Sequence, residues 1–197
     1  MGTSDVPIIP LFPLPLLPLP GELVPLHIFE PRYRQLLVDV ETTDISFGIF
    51  LNHNCNAGQL GGLMKLESVI KRHPSGESDI VVRCMDTFTM RKFFRNYKTK
   101  LYPGGEVMPW NIDARTMPGV ELYELFLNYQ EKRKINRHFT PFTLYQIATE
   151  LNLDVTDRYK LLTSTVLKKD AFLISHLKYQ IHILQQEESS KDVFHLN

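Results

Sequence analysis

The sequence predicts an α+β protein: a partly open β-barrel with one inserted helix, followed by a bundle of about four helices. Three observations carry this expectation. Residues 8–107 read mostly as short strands rich in Val, Ile, Phe, Tyr and Thr, separated by the turn signals "HNCNAG", "HPSGES" and "PGG". One stretch within that half, "PRYRQLLVDV", has a helical period. Beyond Trp110 the apolar period changes from two to about 3.6. The reading is therefore a barrel over residues 1–112, a helical subdomain over 119–190 and a frayed tail over 191–197. The boundary falls in "WNIDARTMPG", Trp110–Gly119.

The first segment holds prolines at positions 7, 10, 13, 15, 18 and 20. It is dense in Leu, Ile and Phe and lacks a basic anchor, so a barrel edge fits better than an exposed P-x-x-P ligand. Leu23–Phe29 follows a Pro-Gly turn as a strand. The inserted helix, Pro31–Val40, then opens with proline at its first position and Glu30 beside the dipole, where it is expected to satisfy backbone N–H groups. Its Tyr33, Leu36, Leu37 and Val40 fall on one face.

Further strands are expected at Asp44–Asn52, Gly62–Arg72, Ser78–Met85, Thr87–Phe94 and Lys100–Pro109. In the second of these, Met64, Leu66, Ser68 and Ile70 alternate with Lys65, Glu67, Val69 and Lys71, as in a half-buried strand.

Four helices are expected after the boundary. Gly119–Lys134 places Leu122, Tyr123, Phe126 and Leu127 on a stripe. Thr140–Leu151 opens with Thr140 as N-cap and Pro141 next, then carries Leu144, Ile147, Ala148 and Leu151. Val155–Thr165 is shorter. Lys168–Ser189 has Ile174, Leu177, Ile181 and Leu184 at helical spacing.

Composition narrows the function classes. Lys plus Arg and Asp plus Glu both number 22 in 197 residues, and residues 1–110 carry 11 of each sign. No half is a polyelectrolyte, so bulk attraction to nucleic acid or an anionic membrane is not expected. Two cysteines, Cys55 and Cys84, make no disulfide framework and read as free thiols in a reducing cytoplasm. The uncharged run over residues 6–21 has the look of a signal-peptide core. Asp5 and the absence of a preceding Lys or Arg oppose that reading, and the prolines forbid its helix. Gly2 is followed by Val6 where myristoylation requires Ser or Thr. No membrane span is expected.

The sequence holds no Walker-type phosphate loop, no G-x-G-x-x-G, no G-x-S-x-G and no H-E-x-x-H. No catalytic residue, cofactor or metal-ligand set is read. His53 and Cys55 lie two apart but lack companions at ligand spacing. His176 and His182 are six apart on a helix and do not share a face. "RKFFRNYKTK", Arg91–Lys100, interleaves five basic residues with Phe93, Phe94 and Tyr97. Such a strand either stacks bases and holds phosphates or buries an aromatic face beneath a solvated basic one.

"IPLFPL" (Ile9–Leu14), "PGELVPLHIFEPRYRQLL" (Pro20–Leu37), "FGIFL" (Phe47–Leu51), "GGLMKLESV" and "DTFTMRKF" together resemble the N-terminal domain of the Lon ATP-dependent protease. The resemblance is nearest to short bacterial proteins that carry this domain alone. It extends through "LNLDVTDRYKLLTSTVLKKDAFLISHLKYQIHILQQEE" and spans roughly residues 8–188. It implies a PUA-like barrel with a helical bundle, and a role in substrate recognition without ATPase or protease modules. Pro25, Phe29, Glu30, Pro31, Arg32 and Tyr33 are then a signature of the fold.

The preferred reading is a non-enzymatic binder of unfolded or extended polypeptide, acting as an adaptor or chaperone-like protein, with a protease or chaperone as a possible partner. Its expected contacts are Tyr97, Tyr102 and Trp110, near the junction of the two halves. The alternative is an RNA-binding PUA-like domain using Arg91, Lys92, Arg95, Lys98 and Lys100.

Overall fold

The computed structural model describes residues 6–135 and 141–194, with side chains through residue 187. The expectations placed on Gly2, Asp5, Thr140 and the last three residues of the tail lie outside the described residues. The chain divides into two compact units, the first ending at Ala114 and the second beginning at Arg115. No described helix is long and apolar enough to cross a membrane.

The first unit contains β1 (Ile8–Leu14), β2 (Leu23–Ile28), α1 (Pro31–Thr43), β3 (Phe47–Leu51), β4 (Leu60–Arg72), β5 (Ser78–Phe94) and β6 (Gly104–Pro109). They form one sheet in the order β2-β5-β4-β3-β1-β6, and β5 also pairs with β6. Five strands thus make a ring of hydrogen-bonded neighbours that is not a fully closed barrel, and β2 hangs on β5 as an edge. Pro25 is tolerated in β2 because the open side of an edge strand needs no ladder N–H.

The expectation that the proline run forms a plain edge is corrected by β1, which has a strand on each side. Ile8–Pro10 pairs antiparallel with β6, whereas Leu11–Leu14 pairs parallel with β3. Each proline of the strand therefore meets only one partner, Pro10 opposite Gly104 and Pro13 opposite Phe50. A strand that changes partner halfway is a half-edge twice over, which is how it accommodates two residues without donors.

Successive side chains point to opposite faces of the sheet, and both faces are filled. Leu11, Phe88 and Val107 are buried together, with Ile9, Phe50, Leu63 and Met90 packed around them. Phe88 lies so close to two backbone positions that only glycine fits. A Cβ on Gly61 would sit 2.3 Å from Phe88 Cζ, and one on Gly48 would sit 2.7 Å from Phe88 Cε1. The opposite face buries Phe12, Ile49, Met64, Ile80 and Val82 beneath the Tyr33, Leu36, Leu37 and Val40 stripe of α1. Each fully buried apolar side chain of this size contributes about 1.5–3 kcal/mol.

Four local expectations are corrected. The two strands expected at Ser78–Met85 and Thr87–Phe94 are one strand of 17 residues, β5. The strand expected from Lys100 begins at Gly104, after a turn. In β4 the register shifts between Leu66 and Ser68 and again between Val69 and Lys71, so Val69 packs on the core and Ile70 is exposed. A bulge reverses the alternation that the sequence shows. Glu30 occupies the N-cap of α1, but its carboxylate makes no cap bond; it accepts from Arg32 Nε at 2.8 Å instead.

The second unit contains, among the described residues, α2 (Val120–Lys132), α3 (Leu144–Glu150), α4 (Val155–Thr163) and α5 (Val166–Phe194). On α2 the buried stripe is Leu122, Phe126, Tyr129 and Gln130, and Leu127 is exposed. On α5 it is Leu173, Leu177 and Ile181. α3 starts one turn later than expected. Thr143 caps it in a reciprocal box, its hydroxyl accepting from Gln146 N while Thr143 N donates to Gln146 Oε1. Asp154 caps α4 by accepting from Asp157 N at 2.8 Å. α5 is helical to Phe194, four residues into the expected tail.

Candidate functional site

β5 and β6 place a group of side chains on an outer face. Thr89 and Met108 are paired positions. The Trp110 indole Nε1 donates to Thr89 Oγ1 at 2.9 Å, and its backbone N–H donates to Thr87 O, so a half-buried ring is held beside the strand pair. The register shift between Met90 and Lys92 frees Arg91 from regular pairing, and its guanidinium reaches Met108 Sδ at 3.1 Å. Met108 is 42% exposed on this face, whereas Phe93, 48% exposed, is paired with Gly105 and so lies on the opposite face, that of Val107. The result is a rigid aromatic, a pliable thioether and a cation on one face of the strand pair. Such a mix can accommodate varied apolar segments.

Trp110 is the one expected peptide contact that belongs to this face. Tyr102 is not a contact residue: it is fully buried, and its hydroxyl donates to Asp39 Oδ2 at 2.7 Å. Burial, then the bond to Asp39, raises its pKa well above the ordinary phenol value. Tyr97 stacks on Tyr102 with ring centroids 5.8 Å apart and is half-buried. Asp39 also accepts from Lys100 Nζ at 2.8 Å. Burial alone would raise the Asp39 carboxyl; the bonds from Lys100 and Tyr102 outweigh it and hold the pKa below the ordinary value.

The basic stretch does not act as one line of charge. Lys100 is committed to Asp39, which removes it from the expected phosphate contacts. Lys92 lies opposite Glu106, with its ammonium 5.2 Å from the Phe94 ring centroid. Lys98 has φ +54° and covers Tyr97 at 5.2 Å. Arg95 is exposed. Phe93 is exposed as well, so the stretch does not bury a complete aromatic face either.

Asp86 governs how the chain leaves β6. Its carboxylate is buried and accepts from the backbone N–H groups of Thr87, Asn111 and Ile112 at 2.7–3.0 Å. Lys169, on α5, is buried with Nζ 3.1 Å from the Tyr145 hydroxyl, and burial lowers its pKa.

His53 Nδ1 and Cys55 Sγ are 3.1 Å apart, with no third ligand-type side chain joining them among the described residues. Sequence spacing does not reveal a different group. His27 and His73 both contact Asp79, at 2.7 Å each. The three are brought together by cross-strand register, which a linear scan does not contain. The bonds from His27 and then His73 lower the Asp79 pKa.

The fold is that of an α+β domain built on a ring of strands. The family model described as the ATP-dependent protease La (LON) substrate-binding domain matches residues 6–177, and the chain belongs to that family. The solved Lon N-terminal domain protein from Xanthomonas campestris has the same fold, with TM-score 0.63 and 24% identity over 81% of this chain and 91% of that one. The N-terminal domain of the Mycobacterium avium complex Lon protease aligns at TM-score 0.48 and 15% identity, over 91% of this chain and 98% of that one. A comparison with curated proteins finds no match.

Proposed function

We propose that the chain is a non-enzymatic binder of unfolded or extended polypeptide, using the outer face of β5 and β6 around Arg91, Met108 and Trp110. The observation that carries this reading is membership of a substrate-binding family over residues 6–177. The exposed Met108 beside the anchored indole supports the choice of surface, because it offers apolar contact without a shaped pocket. The role is that of an adaptor or chaperone-like protein in a reducing cytoplasm, where Cys55 and Cys84 stay free.

Trp110 is the single tryptophan, so its fluorescence reports on this face. A tryptophan-free, permanently unfolded model protein titrated into the chain should give a saturable change that ATP does not alter. A folded Met108→Ser variant should bind it less tightly. Absence of binding to unfolded polypeptide overturns the proposal. Steeply salt-dependent RNA binding, lost in Arg91→Ala and Arg95→Ala, would establish the nucleic-acid reading in its place.

A further inference from the structure

At the far end of the sheet from Trp110's strand terminus, three chemistry-bearing side chains meet on neighbouring strands. His27 lies on β2, and Asp79 on β5 is its paired position. Lys71 of β4 also pairs with Asp79, and His73 follows two residues later. The β4–β5 turn is closed by bonds from His73 N to Glu77 O and from Gly76 N to His73 O, both 2.9 Å. Arg34 of α1 donates to Ser75 O at 3.0 Å and steadies the same turn. The backbone beneath the group is therefore fixed from three sides.

We propose that His27, His73 and Asp79 bind one first-row transition-metal dication, of which Zn²⁺ is the best match. One ligand atom from each residue lies within 4.8 Å of the other two. His27 Nδ1 meets Asp79 Oδ1, and His73 Nε2 meets Asp79 Oδ2, so both imidazoles aim a nitrogen at one carboxylate. Zinc bonds to such donors are about 2.0–2.2 Å long, which sets tetrahedral ligands about 3.5 Å apart. The two 2.7 Å contacts to Asp79 must therefore open by about 0.8 Å and the longest separation close by at most about 1.3 Å, distances that side-chain torsions of the half-exposed His27 and Asp79 can supply.

The protons have somewhere to go. With Nδ1 on the metal, neutral His27 carries its proton on Nε2, which faces Glu77 Oε2 at 3.7 Å. A carboxylate behind a ligating imidazole is the usual orienting partner of such sites. Two neutral imidazoles and one carboxylate select against Mg²⁺ and Ca²⁺, which take oxygen ligands. Three protein ligands leave a fourth position for water. The bound ion ties the edge strand β2 to the β4–β5 turn.

The test is calorimetric titration of tag-free chain with ZnCl₂, with MgCl₂ as control. Saturation at one Zn²⁺ per chain is expected, together with a rise in melting temperature and no response to Mg²⁺. His27→Ala and His73→Ala, each shown to be folded, should weaken binding at least about tenfold. Cys55→Ser should leave it unchanged. Cobalt(II) titrated into the wild-type chain should give visible d–d bands without a thiolate charge-transfer band, a readout that needs no variant. Failure of the wild-type chain to take up Zn²⁺ at micromolar concentration overturns the proposal. So does wild-type affinity in folded His73→Ala, or a thiolate band with cobalt.

Discussion

Asp39 on α1 accepts hydrogen bonds from both the Tyr102 hydroxyl, at 2.7 Å, and the Lys100 ammonium, at 2.8 Å. One carboxylate thus fastens the turn before β6 to the helix. Gln35 adds a bond from Leu101 N, at 2.8 Å. Tyr102→Phe keeps the ring and removes the donor, and should destabilise the chain by about 1.5–3 kcal/mol in urea unfolding. Because the folded Asp39 pKa is lowered, this carboxylate stabilises the fold at neutral pH. Its contribution is complete above the unfolded value, about 3.9, and is lost as pH falls through the folded value. The stability gap between wild type and Asp39→Asn should therefore be widest near pH 7 and close in strong acid. A gap that is constant with pH would show that Asp39 does not act through its charge.

Gly48 and Gly61 face the same phenyl ring with different surroundings. The three atoms nearest a Cβ on Gly48 all belong to side chains, those of Phe88 and Leu11. One on Gly61 would also meet Ile49 O at 2.6 Å, which is backbone. Either alanine should destabilise by about 1–3 kcal/mol or more. In a Phe88→Leu background, Gly48→Ala should be partly rescued and Gly61→Ala should not. Double-mutant cycles read from urea midpoints check both.

Thr143 and Glu30 both occupy N-caps, and only Thr143 makes the cap bond. Thr143→Ala should lower stability by about 0.5–2 kcal/mol. Glu30→Ala removes an exposed pair with Arg32 and should stay within about 0.5 kcal/mol of wild type. Equal losses in the two variants would contradict this assignment.

Asp86 binds two successive backbone N–H groups beyond Trp110. We propose the subdomain boundary at residues 113–118, just past that anchor. Asp86→Ala should speed tryptic cleavage after Arg115, while cleavage after Arg133 and Lys134 keeps its wild-type rate. Mass spectrometry of early fragments separates cleavage at Arg115 from cleavage at the other two sites. Uniform acceleration at all three would mean global destabilisation instead.

The strand-to-helix join was legible because its signals are local. Pro31 at the first helical position and the Tyr33, Leu36, Leu37 and Val40 spacing lie within ten residues. The same holds for the change of period after Trp110. What stayed hidden depends on register. No local signal reveals that β1 pairs parallel with β3, that a bulge turns Ile70 outward, or that Tyr102 lies beneath Asp39. Of the candidate surface, the sequence offered Trp110 as a peptide contact and Arg91 only as a nucleic-acid contact. An aromatic residue near a strand end reads alike whether its ring faces solvent, as Phe93 does, or the core, as Tyr102 does. His27 and Asp79 are 52 positions apart, and only cross-strand pairing makes them neighbours.

The divided pairing of β1 has a consequence for biosynthesis. Ile8 is opposite Glu106, and Leu11 is opposite Gly48. As the chain leaves the ribosome, β1 must therefore wait for almost the whole first unit before both its halves are matched. Closing a loop of nearly a hundred residues is entropically unfavourable and slows assembly. During that interval the nascent strand is an apolar segment at risk of pairing with a neighbouring polypeptide. Pro10 and Pro13 deny such a neighbour two of the N–H groups it would need, so the residues that complicate the finished ring also protect the unfinished one.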